Sequence, residues 1–143
     1  MNPFTFSIPT VVHFGQGQIE KLGGEIAARS RKVLVVYGGG SVRRGGVFDA
    51  AIAQLRNHGV RWAELPGVEP NPRVATVREG VRLCREQGLD GVLALGGGSV
   101  IDCAKAVAAG FFYDGDPWDL PAKKLTPEQA LPIFTVLTMA ATG

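Results

Sequence analysis

Few of the residues that build metal and redox sites occur in this sequence. Its 143 residues include two cysteines and two histidines. Cys84 and Cys103 lack the spacing of a zinc or redox motif, and His13 and His58 lie apart from each other and from clustered carboxylates. We therefore expect ordinary surface or sheet-edge histidines, and free thiols in a reducing, cytoplasmic setting.

An excess of one charge and a long apolar run are also missing. Fifteen Lys and Arg residues stand against thirteen Asp and Glu residues, which leaves a net charge of +2. That balance does not indicate a nucleic-acid or anionic membrane partner. No run approaches the roughly 20 apolar residues of a membrane span, and residues 1–10 lack the features of a signal peptide. We expect one soluble domain.

Glycine, in contrast, is abundant, and its placement repeats. The chain has 20 glycines, and the pentapeptide GGGSV occurs at 38–42 and again at 96–100. Each copy follows an apolar run of the kind found in parallel strands buried on both faces, VLVVY at 33–37 and VLAL at 92–95. Two neighbouring turns of the same kind are therefore expected.

Consecutive glycines before a helix are typical of phosphate-binding turns. Without Cβ atoms, backbone N–H groups can approach a phosphate closely, and the helix N-terminus adds positive partial charge. The second copy leads directly into a helical pattern and so favours this function. The alternative is a βα turn that only permits tight packing. Neither copy completes a G-x-G-x-x-G motif, and no P-loop motif is present.

The first copy continues as SVRRGGVF, which delays the next helix. A longer loop on a neighbouring strand would reach the other end of an extended ligand, so we expect the two copies to share one dinucleotide. The second would hold its pyrophosphate and the first its adenosine end. Arg43 and Arg44 either meet a further anionic group, such as a 2′-phosphate, or are solvated surface charges.

Strand and helix patterns alternate along the whole chain. Apolar residues at helical spacing predict helices near 19–30, 48–59, 74–88 and 100–111. The alternation predicts an α/β fold, a Rossmann-like, open and mostly parallel sheet flanked by helices, with an N-terminal β-strand. Residues 113–129 are expected to form an irregular loop whose Trp118 anchors in the core. Strands are expected at 6–15, 33–37, 61–65, 92–95 and 133–137.

The last segment, TMAATG at 138–143, has the small residues that turn a strand toward a helix, but no helical pattern follows. We therefore expect residues 1–143 to be one domain cut from a longer protein.

Six segments together resemble a known family. They are FGQGQIEKL, YGGGSV, GVEPNPR, LGGGSVID-x-AK, DPWD and TMAATG, in this order. In this combination the chain resembles, over essentially its whole length, the N-terminal cofactor-binding half of group III iron-containing alcohol dehydrogenases. The resemblance is to the branch of NADPH-dependent butanol dehydrogenases and aldehyde reductases. It implies an NADP(H)-dependent oxidoreductase that interconverts a primary alcohol and an aldehyde.

The resemblance also implies which residues bind the cofactor. The loop that ends at Ser99 would wrap the pyrophosphate, with Asp102 beside it. Relatives that prefer NAD carry an aspartate at the position of Gly39, so a glycine there implies NADP(H) rather than NAD. The implied cofactor-binding residues are Gly39, Gly40, Ser41, Asn71, Gly97, Gly98, Ser99, Asp102, Thr138 and Thr142.

Metal chemistry is implied for the longer protein only. The family's metal site, one Asp and three His, lies on a helical C-terminal domain that begins beyond TMAATG and is absent from this sequence. A divalent metal, iron by the family's name, would bind there. We expect no catalytic residue and no metal ligand in this chain, and homodimerisation through the N-terminal strand is possible.

Three alternatives stay open. One is a nucleotide-binding module without chemistry. A second is a sibling enzyme of the glycerol dehydrogenase or dehydroquinate synthase type, which shares the Gly-Gly-Gly-Ser turn but not the EPNP, DPWD and TMAATG segments. The third is a structural fragment that associates through its opening strand.

Overall fold

The protein forms a parallel sheet with helices on both faces. The computed structural model describes Thr5 and residues 8–140. Within these residues the sheet has four strands in the order β2-β1-β3-β4, and every neighbouring pair is parallel. The predicted α/β fold is confirmed. The strands are β1 (Lys32–Tyr37), β2 (Arg61–Leu65), β3 (Gly91–Gly96) and β4 (Ile133–Leu137).

Helices connect the strands close to where the apolar spacing predicts them. A 3-10 turn, Gln18–Lys21, continues into the first α-helix, and the fourth helix ends at Gly88 in the left-handed conformation with φ 61°. The helices are α1 (Leu22–Ala27), α2 (Ser41–Arg44), α3 (Val47–Asn57), α4 (Val74–Gln87), α5 (Gly98–Gly110) and α6 (Asp119–Ala122).

Both faces of the two central strands are buried, which explains their unbroken apolar sequences. On one face, alternate residues of β1 and β3 pack against α1 and α3; they are Val33, Val35, Tyr37, Leu93 and Leu95. On the other face, the intervening residues pack against α4 and α5; they are Leu34, Val36, Val92 and Ala94.

Helices α4 and α5 approach each other at a glycine. A Cβ atom added to Gly80 of α4 would lie 2.6 Å from Cγ2 of Val107 on α5 and 3.0 Å from Cδ2 of Leu65. Only a residue without a side chain fits at this distance, so Gly80 allows α4 and α5 to lie side by side on the sheet.

The strand order places a topological switch point between β1 and β3. From β1 the chain crosses one face through α3 to reach β2, and from β2 it crosses the other face through α4 to reach β3. Helix α5, which follows β3, packs on the same face as α4. The connections that follow β1 and β3 therefore leave on opposite faces. Ligands of doubly wound sheets bind at such a switch point, outside the carboxyl ends of the strands. Both GGGSV copies begin there.

The expected strand at 6–15 is not formed across residues 8–14, which have no regular secondary structure. This segment has no ladder partner among the described residues. Val12 and Phe14 are 76% and 96% exposed, and His13 Nε2 contacts Glu25 Oε1 at 3.1 Å. An apolar, β-branched sequence indicates a strand only where a neighbouring strand is available to pair with it.

Trp118 does not anchor in the core as predicted, because 56% of it is exposed. The loop is held by charged groups of α4 instead. Arg78 Nε donates to Asp116 Oδ2 at 2.9 Å, and Arg85 Nη2 donates to the carbonyl oxygens of Gly110 and Tyr113 at 3.1 and 2.6 Å. The loop also contains a short helix, α6, which the sequence patterns did not predict.

Candidate dinucleotide-binding site

The second GGGSV copy makes a sharp corner between β3 and α5. Gly96 has φ 156°, and a Cβ atom added to it would lie 2.7 Å from Cγ2 of Val100. The first helical hydrogen bonds run from the N–H groups of Val100 and Ile101 to the carbonyl oxygen of Gly97, at 3.1 and 3.2 Å. The N–H groups of Gly98 and Ser99 come before the first bonded residue, Val100, so they have no partner within the helix. No side chain caps the helix at Gly97.

Space is open in front of this corner, which we call the second corner (Gly96–Ser99). A Cβ atom on Gly98 would meet nothing within 4 Å, and one on Gly97 would meet only Met139, at 3.8 and 4.0 Å. A bulky anion can therefore reach the first amides of a 13-residue helix. Those amides and the helix dipole make the second corner chemically suited to a phosphate group.

Asp102 and Thr138 flank the second corner. Asp102 is exposed on the following turn of α5, and its Oδ1 lies 3.0 Å from Nζ of Lys105, so a cation of the same helix offsets its charge. Thr138 follows β4, and its N–H donates to the carbonyl oxygen of Gly96 at 3.1 Å. The predicted site residue Thr142 lies outside the described residues.

The first corner (Gly38–Ser41) lies beside the second, because β1 and β3 are adjacent and Tyr37 pairs with Leu95. A Cβ atom on Gly39 would meet nothing within 4 Å, and Gly40 is left-handed with φ 109°. Ser41 is exposed and begins α2, a single helical turn that the sequence patterns did not predict. The first corner is therefore open at Gly39, whereas a Cβ atom on Gly40 would lie 3.4 Å from Nη1 of Arg44.

Asn71 lies on the turn between β2 and α4, and this turn is tied to the first corner. The N–H of Val68 donates to the carbonyl oxygen of Tyr37 at 3.1 Å, and the carbonyl oxygen of Val68 faces Gly38. Asn71 is exposed and has φ 58°, a left-handed conformation that asparagine tolerates better than most residues.

Arg43 is neither free for an anion nor an isolated surface charge. Its Nη2 lies 2.7 Å from Oε2 of Glu64 on β2 and 2.6 Å from the hydroxyl oxygen of Tyr37, which itself donates to Glu64 at 2.7 Å. The guanidinium carbon lies 3.9 Å above the ring of Phe48. Partial burial raises the pKa of Tyr37 above its usual value, so the hydroxyl stays protonated and can donate.

Sequence reasoning missed Tyr37 and Glu64 as part of this edge. No sequence signal pointed to either residue, because Glu64 is on β2, two strands away from the second corner. Nothing in the sequence indicated that Arg43 would bind Glu64.

The structure thus gathers the described members of the predicted set on loops and first helical turns at one edge of the sheet. Both corners and Thr138 lie at the carboxyl ends of β1, β3 and β4, and the Asn71 turn follows β2. Together, the parallel sheet, its switch point and the two bare corners place the chain among the doubly wound α/β proteins.

A sequence model of a protein family named "Iron-containing alcohol dehydrogenase" matches residues 9–143. The chain belongs to this family, as the six sequence segments indicated.

Relatives and solved structures agree with this assignment. The chain is 55% identical to a probable NADH-dependent butanol dehydrogenase of Bacillus subtilis, over all of this chain and 37% of that protein. It is 41% identical to the NADPH-dependent aldehyde reductase of Escherichia coli, again over all of this chain and 37% of the relative. The crystal structure of an NADH-dependent butanol dehydrogenase from Thermotoga maritima superimposes with a TM-score of 0.95 at 49% identity, covering 99% of this chain and 36% of that one.

Other sites are not evident in the part of the chain that the structure describes. No three His, Cys, Asp or Glu side chains are grouped so that they could hold a metal ion there. No helix among the same residues is long and apolar enough to cross a membrane.

Proposed function

We propose that this chain forms the nucleotide-binding part of an oxidoreductase that interconverts a primary alcohol and an aldehyde with a nicotinamide dinucleotide. One observation carries the proposal: two glycine corners lie on adjacent strands at the switch point, with open space at the Cβ positions of Gly39 and Gly98. The chain spans about 37% of the length of the relatives it matches, and we propose the activity for the polypeptide that carries this sequence, not for these residues alone.

Each corner has its own part in this proposal. The amides of Gly97, Gly98 and Ser99 would hold the pyrophosphate, with Asp102 and the threonines at 138 and 142 beside it. The first corner, from Gly39 to Ser41, would frame the adenosine end together with Asn71. The open space at the Cβ positions of Gly39 and Gly98 supports this assignment.

The chain's own contribution is to bind and orient. The nicotinamide supplies the hydride acceptor or donor when it is bound. We assign no acid, base or metal ligand to this chain. The described residues offer no group of His, Cys, Asp or Glu side chains that could hold a metal ion.

Four observations bear on the choice of cofactor, two in favour of each. The predicted NADP(H) is supported by Gly39, which places no carboxylate against a 2′-phosphate, and by the name of the NADPH-dependent aldehyde reductase. NADH is supported by the names of two butanol dehydrogenases that are 55% and 50% identical to the chain, and by the engagement of Arg43 with Glu64.

Fluorescence titration with NADH and with NADPH tests the proposal on the full polypeptide that carries this sequence. We expect saturable binding of at least one of them, with competition by the other. If neither dinucleotide gives a saturable signal at millimolar concentration, the proposed function is wrong. If both bind but no alcohol or aldehyde is turned over with iron supplied, the module without chemistry is the better description.

A further inference from the structure

The guanidinium of Arg44 lies against the first corner. Its Nη1 atom would be 3.4 Å from a Cβ atom added to Gly40, the glycine that follows Gly39. Arg44 is exposed at the end of α2. No carboxylate pairs with its side chain among the residues that the structure describes. The loop that follows β1 therefore carries a cation that no ion pair engages there.

Arg43 sets the direction in which Arg44 points. The Nη2 atom of Arg43 lies 2.7 Å from Oε2 of Glu64 and 2.6 Å from the hydroxyl oxygen of Tyr37. Its guanidinium carbon lies 3.9 Å from the centre of the Phe48 ring. These contacts hold α2 against β1, β2 and α3. Consecutive residues of a helix point about 100° apart, so Arg44 is directed away from this cluster and lies over the first corner.

The first corner is where the proposed cofactor would place the ribose of its adenosine. With the pyrophosphate at the second corner after β3, the ribose would lie at the end of the neighbouring strand β1, where Gly39 stands. A Cβ atom on Gly39 would meet nothing within 4 Å, so a group larger than a hydroxyl has room there. An arginine near the ribose accommodates the 2′-phosphate of NADP in sheets of this class.

We propose that Arg44 recognises the 2′-phosphate of NADP(H), and that Arg43 only positions α2. This inference rests on the proposed function. The guanidinium of Arg44 would donate to the phosphate oxygens, and hydrogen bonds between two charged groups are stronger than those between neutral groups. A ribose with a 2′-hydroxyl lacks this charge and gains less from the contact. Arg43 cannot take the same part, because Glu64 already binds its guanidinium.

Arg44→Met tests the proposal in the full polypeptide that carries this sequence. Methionine keeps an unbranched apolar side chain and removes the charge. Dissociation constants of NADPH and NADH are measured by fluorescence titration at one low ionic strength. We expect the ratio of the NADPH constant to the NADH constant to rise at least about tenfold, with the NADH constant changing less than about twofold. Both constants are measured on one preparation, so a partial loss of stability does not affect their ratio.

Two further variants complete the test. Arg44→Glu places a carboxylate beside the phosphate and should raise the ratio further than Arg44→Met does. Arg56→Met is the matched control, because Arg56 is exposed and also has no ion pair among the described residues. It lies in the last turn of α3, which leads to the start of β2 at the opposite edge of the sheet. Its removal should leave the ratio unchanged.

The outcomes separate this inference from the proposed function. A wild-type protein that binds neither dinucleotide contradicts the proposed function and this inference with it. A wild-type protein that binds NADH but not NADPH overturns this inference alone, as does a ratio within about twofold of the wild-type value in Arg44→Met.

Three further results would also overturn the role of Arg44. Equal losses of affinity for both dinucleotides in Arg44→Met would place the arginine against a part that the two share. A ratio in Arg44→Glu no higher than in Arg44→Met would show that charge is not the cause. A rise of similar size in Arg56→Met would show that the effect follows net charge and not the position of Arg44.

Discussion

The N–H group of Thr138 donates a 3.1 Å hydrogen bond to the carbonyl oxygen of Gly96. This bond continues the pairing of β3 with β4 for one residue beyond the strands and brings the end of β4 against the second corner. The corner is thus supported from both sides, by Val100 below it and by the segment at Thr138 and Met139 beside it.

Substitution of Gly96 by alanine should destabilise the fold. The new Cβ would lie 2.7 Å from Val100, at a φ of 156°. We expect a loss of about 2–4 kcal/mol in the free energy of unfolding, measured by urea denaturation. Gly98→Ala is the matched control, since its Cβ meets nothing within 4 Å, and it should be neutral or stabilise by up to about 1 kcal/mol. Equal losses in both variants would contradict the geometry of the corner.

A carboxylate at the second corner should weaken cofactor binding without harming the fold. Gly98→Asp adds a side chain in open space at the start of a helix, where negative charge is favourable by about 0.3–1 kcal/mol. The same charge would repel a pyrophosphate, so we expect dinucleotide affinity to fall at least about tenfold. Fluorescence titration and a thermal melt check both effects.

Ala53→Asp provides the control for Gly98→Asp. It adds the same charge on an exposed position of α3, and its affinity for dinucleotide should equal that of the wild type. Retained binding in Gly98→Asp would show that the phosphate lies elsewhere.

Gly80→Ala should be destabilising because of its contact with Val107. The added Cβ would lie 2.6 Å from Cγ2 of Val107, so we expect a cost of about 1–3 kcal/mol. Val107→Ala removes the clashing atoms, and the double variant should be more stable than the sum of the single effects predicts, by about 1 kcal/mol or more.

A second double-mutant cycle, with Val33 in place of Val107, serves as the control for this coupling. Val33 is also fully buried, but on the opposite face of the sheet. Gly80→Ala and Val33→Ala should therefore add within about 0.5 kcal/mol. Additivity in both cycles would contradict direct contact between α4 and α5 at Gly80.

The two buried thiols should make stability depend on alkaline pH. Burial raises the pKa of Cys84 to about 12 and that of Cys103 to about 11, from a reference of 9.0. The unfolded thiols release protons at lower pH than the folded ones. The contribution of the protonated, buried thiols to the free energy of unfolding is therefore fully present below pH 9 and is lost as the pH rises toward 11 and 12. By pH 11 we expect a loss of about 2–3 kcal/mol per thiol, since each pKa unit corresponds to about 1.4 kcal/mol.

Urea denaturation between pH 8 and pH 11 checks this dependence. The wild type is compared with the Cys84→Ala, Cys103→Ala double variant. For each protein, the free energy of unfolding is expressed relative to its own value at pH 8. The variant should lose less stability over this range. Identical slopes would show that the thiols do not remain protonated in the folded protein.

Much of the secondary structure follows from short stretches of sequence. The run VLVVY predicted β1 within one residue, RWAEL predicted β2 at its observed bounds, and Gly88 ends α4 as expected. These elements are predictable because each depends on the spacing of neighbouring apolar residues and on local glycine and proline. The strand expected at 6–15 is not formed across residues 8–14. A strand also needs a neighbouring strand to pair with, which no local pattern shows.

The prediction that Trp118 anchors in the core was wrong for a related reason. Its environment depends on Arg78 and Arg85, which hold the loop from a helix about 30 residues earlier in the chain. The pairing of Arg43 with Glu64 was likewise hidden, since the two residues are 21 positions apart and meet only because β1 and β2 are neighbours.

By itself, the sequence determined that glycine turns follow two buried strands, because the absence of side chains and the apolar runs are local properties. Only the tertiary structure decided that these turns are neighbours. The order β2-β1-β3-β4 arises from packing both faces of β1 and β3 against helices that are distant in sequence, and such long-range packing sets which loops share an edge.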